Sequence, residues 1–425
     1  MSLKKPSLFY GWYIVFAGTV TMTLMATFSY YGMGLFLEPI RSHFGWSTLA
    51  FTTGLSLARL EGGFLAPFVG YAIDKFGPRK LMLVGISVSG LGYILLSQTM
   101  SLPYFFLVYI FLVQGGISLG MGNAPTTAVA NWFKRKRGTA MGVVNLGASF
   151  GGMFSIPLAW LITTYKWNGA LMVAGVIVWL IGLPMALIVR HRPEPYGFLP
   201  DGKKPMNLGN PAVKNGDGNE AVIVYEEDVE VNFTSRQALK TGAFWSIGLT
   251  FAARQLVTGS VALFLPSLLQ ERGMNLTEAA SIITLMSFIG MPGRVGFAWL
   301  GDHRDKRWVM ASCFIFQSIG LILFIILGGK AGIIFFLILY APAYSGVLPL
   351  LPAIQADYFG VKSFATIKGL MAPIGTISVV AGPILVGILH NIFDSYEQAF
   401  IVLAIANVLA LVFIVLTKRP VLQNN

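Results

Sequence analysis

An all-α membrane protein, with twelve transmembrane helices in two six-helix pseudo-symmetric bundles, is the fold class that three features of the 425 residues predict. Hydrophobic residues make up 55% of the chain and charged residues only 11%, with a mean hydropathy of +0.70. A soluble domain carries about 25% charged residues, so this chain lacks the charge to cover a surface facing water. Apolar runs of about 20 residues, the length needed to cross a bilayer, recur along almost the whole chain. Most of them are apolar all round instead of along one stripe, which excludes a soluble protein with buried helices. Finally, the two halves of the chain repeat one another.

In chain order the predicted spans are 12–37, 48–71, 80–98, 103–130, 138–164 and 168–190, then 243–269, 277–300, 308–328, 332–356, 366–390 and 397–417. The first run follows Lys4 and Lys5 and is too long for the apolar region of a cleavable signal, so it reads as a helix that stays. Between the groups of six lies a polar stretch from His191 to Lys240, rich in Pro and Gly and carrying the acidic run Glu226, Glu227, Asp228 and Glu230. Such composition buries no core and predicts a flexible cytoplasmic linker. The predicted organisation is therefore a bundle over 1–190, a linker over 191–240 and a second bundle over 241–425.

Lys and Arg set the expected orientation. With the N-terminus inside, the cytoplasmic segments hold 23 basic residues, and the outer loops hold only Arg41, Lys166, Arg272 and Lys330. This bias predicts an inner-membrane, multi-pass protein with both termini in the cytoplasm. It also accounts for the net charge of +12, so no nucleic-acid partner is implied. The single cysteine, Cys313, excludes an internal disulfide, and His43, His191, His303 and His390 form no metal-ligand spacing.

The repeat is carried by specific residues. The second span ends in Gly70-Tyr-Ala-Ile-Asp74-Lys-Phe-Gly77-Pro-Arg79-Lys80, and the eighth in Trp299-Leu-Gly301-Asp302-His-Arg304-Asp-Lys306-Arg307. Asn131-Trp132-Phe133 precedes the fifth span as Asp357-Tyr358-Phe359 precedes the eleventh, at offsets of 226 and, for the aspartates of the first pair, 228. Gly70 permits close helix approach, Asp74 sits where a basic group or a helix N-terminus can bind it, and Gly77 permits a tight turn. Arg79 and Lys80 are expected to face the inner leaflet. The 70–80 segment resembles the signature loop of the major facilitator superfamily. That resemblance implies a transporter in which this loop, with Asp302 as its counterpart, latches the closed cytoplasmic face.

A narrower resemblance rests on Asn131 to Gly142, with Lys134, Arg135, Lys136 and Arg137, followed by Gly147, Gly151 and Gly152. It is similar to the entry to the fifth helix in the monocarboxylate transporter family and its oxalate/formate-type relatives. Tyr10-Gly11-Trp12 matches part of that family's opening motif.

Charge inside the bilayer is expensive, about 2.5–3.5 kcal/mol even on the lenient insertion scale, and so marks function. Arg59 and Glu61 in the second span, Arg254 in the seventh and Arg294 in the eighth are such residues. Arg294 lies eight residues before Asp302, roughly 12 Å from that helix end, and Arg254 lies roughly 16 Å into its helix. Arg294 aligns with the arginine that monocarboxylate transporters use to bind the substrate carboxylate, and a guanidinium suits that task by its bidentate fork and permanent charge. Arg254 is expected to assist it. Arg59 and Glu61 are about 200° apart around their helix and cannot pair with each other; Glu61 is left to pair with Arg254 or to carry a proton. The family's acid four positions before the arginine is Gly290 here, and its first-helix lysine is Tyr31. Tyr31, Asn123, Asn145, Tyr340 and Tyr344 are candidate polar lining.

The resemblance implies a secondary transporter of small mono- or dicarboxylates, working by alternating access with proton coupling or exchange, functional as a monomer and needing no cofactor or metal. An exporter of hydrophobic or cationic compounds and a non-transporting membrane sensor are the alternatives. An excess of arginine over acid in the spans argues against the exporter. No phosphate-binding Gly-rich loop or catalytic constellation supports an enzyme.

Overall fold

The computed structural model describes residues 9–46, 48–202 and 232–421. Twelve long helices run through the described residues. Helix α1 comprises Gly11–Met25, a π-helical turn at Ala26–Tyr31 and Gly32–Phe44. Then come α2 (Thr48–Phe76), α3 (Pro78–Leu96) and α4 (Leu102–Trp132). A continuous helical stretch, Arg137–Ile188, breaks at Lys166, whose φ of 60° reverses the chain and separates α5 (137–165) from α6 (167–188). The second half holds α7 (Gly242–Glu271), α8 (Leu276–His303), α9 (Lys306–Leu327), α10 (Gly329–Phe359), α11 (Phe364–Phe393) and α12 (Tyr396–Leu416).

Local chemistry sets the ends. Ser101, Thr241, Asn275, Asp305 and Ser395 each accept a backbone N–H from the first turn of the helix they precede, and Asn275 completes a capping box with Glu278. Gly77, at φ 84°, makes the turn between α2 and α3 that an L side chain resists. Helix α2 continues to Phe76, beyond the expected 71, and over this last turn Lys75 lays its ammonium near the rings of Tyr71 and Phe76.

Packing repeats between the halves. Helix α1 packs on α5 as α7 packs on α11, and α3 on α6 as α9 on α12. Two seams join the halves, α2 against α11 and α8 against α5, and each is the other's pseudo-symmetric copy. The cores differ. The first half has one continuous apolar core, whereas the second has two, one at each end of its helices. Between those two lies a buried polar layer: Arg254 on α7, Arg294 on α8, Gln317 and Ser318 on α9, and Asn407 on α12.

The linker differs from expectation at its ends. Residues 191–202 and 232–240 are folded onto the bundles. Asp201 accepts hydrogen bonds from the backbone N–H groups of Lys134, Arg135 and Lys136, and Arg190, just before the linker, lies between the rings of Tyr10 and Tyr196. Thr234 caps the short helix Ser235–Leu239. Composition alone could not reveal the contacts of Asp201 with residues 134–136 or of Arg190 with Tyr10, because the partners lie far away in sequence. The acidic run at 226–230 lies outside the described residues.

Candidate functional site

Four-residue spacing and close packing bring Arg294 to the centre. Helix α8 is wedged between α10 and α5: a side chain at Gly290 would strike the Ser345 hydroxyl and one at Gly293 the backbone of Pro342, while Gly142 of α5 sits against the Arg294 carbonyl. The guanidinium then crosses to the other half, where Nη1 donates to the backbone carbonyl of Asn145 at 2.7 Å. Arg294 is buried, and its Nε has no hydrogen-bond partner among the described residues.

Arg254 is likewise buried, with Nη1 donating to Gln255 Oε1 at 2.8 Å and its Nε without a hydrogen-bond partner among the described residues. Its guanidinium lies 5.7 Å from the centre of the Tyr344 ring. The two arginines are within electrostatic reach of each other and of Tyr30 and Tyr344, and Tyr31 is within reach of Arg294. Neither arginine has an ion pair among the described residues. Two like charges in a buried polar layer repel each other unless an anion lies between them.

Tyr31 is half-buried and its ring packs against Tyr30 and over Gly152 of α5. Tyr340 is fully buried, stacked between Phe336 and Tyr344, so its ring belongs to the core. Asn145 spends its side-chain amide on the Met141 carbonyl, and Arg294 takes its backbone instead. Asn123 accepts at its backbone carbonyl from the Thr126 and Thr127 hydroxyls. Tyr30, Tyr31 and Tyr340 lie in π-helical turns, and Asn123 directly follows one; an extra residue per turn re-aims side chains there. Arg59 and Glu61 fall within α2, but their side chains lie outside the described residues.

Gly290 explains one departure from the monocarboxylate pattern, since Ser345 fills the space an acid would need. We expect Gly290→Ala to lower thermal stability by about 1–3 kcal/mol through overpacking, with Ser345→Gly restoring part of it. A melting curve in detergent that does not move would contradict this packing.

The ends of the helices carrying the basic loops are closed by two matching caps. Asp74 accepts from the backbone N–H of Ala365 at 3.1 Å, the N–H of Thr366 at 2.7 Å and the Thr366 hydroxyl at 2.6 Å. Asp302 accepts from Gly138 N–H, Thr139 N–H and the Thr139 hydroxyl, each at 2.7 Å. Each carboxylate thus sits on the N-terminus of a helix from the opposite half, where the helix dipole favours it. Gly70 allows this approach, because a side chain there would meet the Ala365 carbonyl. Arg79 and Lys80 are exposed.

Sequence reasoning did not single out the rest of this closure. Arg137 of α5 pairs across the halves with Asp357 of α10 at 2.7 Å, Lys306 joins Asp357 at 2.8 Å, and Lys306 also lies 3.8 Å from Asp302. The second seam has Phe364, Asn131 and Pro78 at the matching positions and makes no such network among the described residues. The signal was present in the aligned repeats, where Asp357 stands opposite Asn131. Lys368, within the predicted span 366–390, lies inside α11 and donates to Thr126 of α4 at 3.0 Å.

A twelve-helix bundle with repeated halves, seams closed at one end and a polar layer at mid-depth is the architecture of an alternating-access membrane transporter. Residues 19–371 match the Major Facilitator Superfamily, and the chain belongs to that family. Among its relatives is the oxalate:formate antiporter of Oxalobacter formigenes, 24% identical over 411 residues, covering 94% of this chain and 89% of the relative. The gallate transporter of Pseudomonas putida is 25% identical, covering 90% and 86%. Monocarboxylate transporter 4 of Gallus gallus is 25% identical, covering 98% and 86%. Among solved structures, FucP in the outward conformation superposes with a TM-score of 0.70 at 15% identity, covering 96% of this chain and 99% of that one, a likeness of fold.

Proposed function

We propose that this transporter moves small organic anions, mono- or dicarboxylates, across the cell inner membrane by alternating access. The observation that carries the reading is the pair of buried arginines, each with an Nε lacking a hydrogen-bond partner among the described residues and neither ion-paired there. A carboxylate bound between them supplies the missing charge and accepts their N–H groups bidentately. Arg294 is the primary ligand, Arg254 shares the charge, and Tyr31 and Tyr344 flank the anion. The relatives named for oxalate, gallate and monocarboxylates support the same chemistry.

Arg294 also links binding to motion. Its bond to the Asn145 carbonyl ties α8 to α5, so a carboxylate that takes the guanidinium competes with a bond between the halves. The bundles over 1–190 and 241–425 rock as units about the bound anion, and the linker over 191–240 joins them on the cytoplasmic side, where both termini lie. The protein works as a monomer.

The test is uptake of a labelled carboxylate panel into proteoliposomes, with and without an imposed pH gradient. We expect saturable uptake of at least one carboxylate; uptake that responds to the gradient assigns proton coupling, and uptake that needs a carboxylate inside assigns exchange. Failure of every carboxylate, with movement of hydrophobic cations, would replace this reading by drug export. Glu61 is the proposed proton carrier, and Glu61→Gln is expected to remove the pH response while leaving exchange; an unchanged response rejects that role.

A further inference from the structure

We infer that Lys368 is a second anion station, nearer the basic-loop side than Arg294, which a substrate meets only when that side opens. The inference rests on the anion reading above. Lys368 lies four residues past the start of α11, roughly 6 Å along it. Its ammonium has three N–H donors, and one hydrogen bond is recorded, to Thr126 Oγ1 at 3.0 Å across the gap between the halves. That hydroxyl donates its own hydrogen to the Asn123 carbonyl at 2.8 Å, so it is a neutral acceptor.

No carboxylate pairs with Lys368 among the described residues. Asp74, on the neighbouring α2, is occupied by Ala365 and Thr366. Gln355, on α10, gives its amide N–H to Met371 Sδ. Lys368 is half-buried, so part of its surface stays accessible beside Thr126. A half-buried cation with one neutral partner leaves donors for an anion that joins it in another state of the protein.

Geometry says which state. The closed seams, α2 on α11 and α8 on α5, hold the basic-loop side shut, with Thr126 pressed against Lys368. Opening that side parts α4 from α11 and strips the hydroxyl from the ammonium. Lys368 then lines the widened opening two residues beyond Thr366, whereas Arg294 stands eight residues beyond the matching Asp302. An anion entering from the basic-loop side meets the lysine first and the arginines after it.

The experiment is counterflow exchange in proteoliposomes of known orientation, varying the carboxylate on one side while the other is held saturating. We expect Lys368→Met to raise KM on the basic-loop side about tenfold or more, the scale of losing a charged hydrogen-bond partner, with KM on the opposite side little changed. Lys368→Arg, which keeps the charge, should restore most of it. An equal change on both sides, no change on either, or a defect in Lys368→Arg as deep as in Lys368→Met would overturn the inference, because a structural lysine acts without sidedness and without regard to charge. A wild type that moves no carboxylate rejects the anion reading itself, and this inference with it; a defect confined to the lysine variants leaves that reading standing.

Discussion

Replacing Arg294 by alanine is expected to abolish carboxylate transport while leaving the fold intact. The substitution removes the guanidinium that bridges the substrate and the Asn145 carbonyl, and leaves a buried carboxylate with Arg254 as its remaining cation. Truncating one partner of a buried charged pair costs about 3–5 kcal/mol, or more than a hundredfold in affinity. Arg294→Lys keeps the charge but loses the fork, so it should recover only part of the activity. Helix α8 is held by its glycine contacts to α10 and α5, which do not use the side chain, so melting in detergent should change little. Transport constants for the three proteins, measured beside their melting curves, check this. Full activity in the alanine variant would remove Arg294 from the site.

Neutralising both capping aspartates, Asp74→Asn with Asp302→Asn, is expected to shift the protein toward the state open on the basic-loop side. Each carboxylate holds three hydrogen bonds from the opposite half; a hydrogen bond to a charged group contributes a net of about 1.5–3 kcal/mol, and asparagine keeps one acceptor oxygen, so only part of the sum is lost. Taking about 2 kcal/mol per site, the double variant moves the equilibrium by about 4 kcal/mol, on the order of a thousandfold. Hydrogen exchange reads this directly, since the capped amides of Gly138, Thr139, Ala365 and Thr366 lose protection. Asp302→Asn alone should shift the equilibrium less than the pair, because Arg137, Lys306 and Asp357 still hold that seam. Unchanged exchange in the double variant would mean that the caps do not hold the closed state.

The helices and their pairing into halves were legible because a bilayer demands long apolar runs and the chain repeats its motifs at nearly constant offset. Asp74 and Asp302 were legible for the same reason, as an acid recurring at a helix end. What each touches was not, since a backbone N–H carries no sequence signature; the partner is the start of a helix nearly 300 residues away for Asp74 and more than 160 away for Asp302. Arg254 and Arg294 stood out as charges in apolar runs, but the polar layer they share with Gln317 and Asn407 needed the packed second half to appear. The π-helical turns near Tyr31 and Asn123 left no pattern, because lipid-facing and core-facing positions are both apolar and the helical period is faint. Lys368 fell inside the predicted span 366–390, but its contact with Thr126 could not be read until the seam beside it was seen.

The central claim is that the arginine layer binds a carboxylate through its charge. Thermal stabilisation of the purified protein by carboxylates and by their uncharged amide analogues, such as oxalate against oxamide or pyruvate against pyruvamide, tests it most directly. Stabilisation by at least one carboxylate, none by its amide, and loss of the effect in Arg294→Ala is the predicted result. Equal stabilisation by acid and amide, or an effect that persists without Arg294, would contradict it.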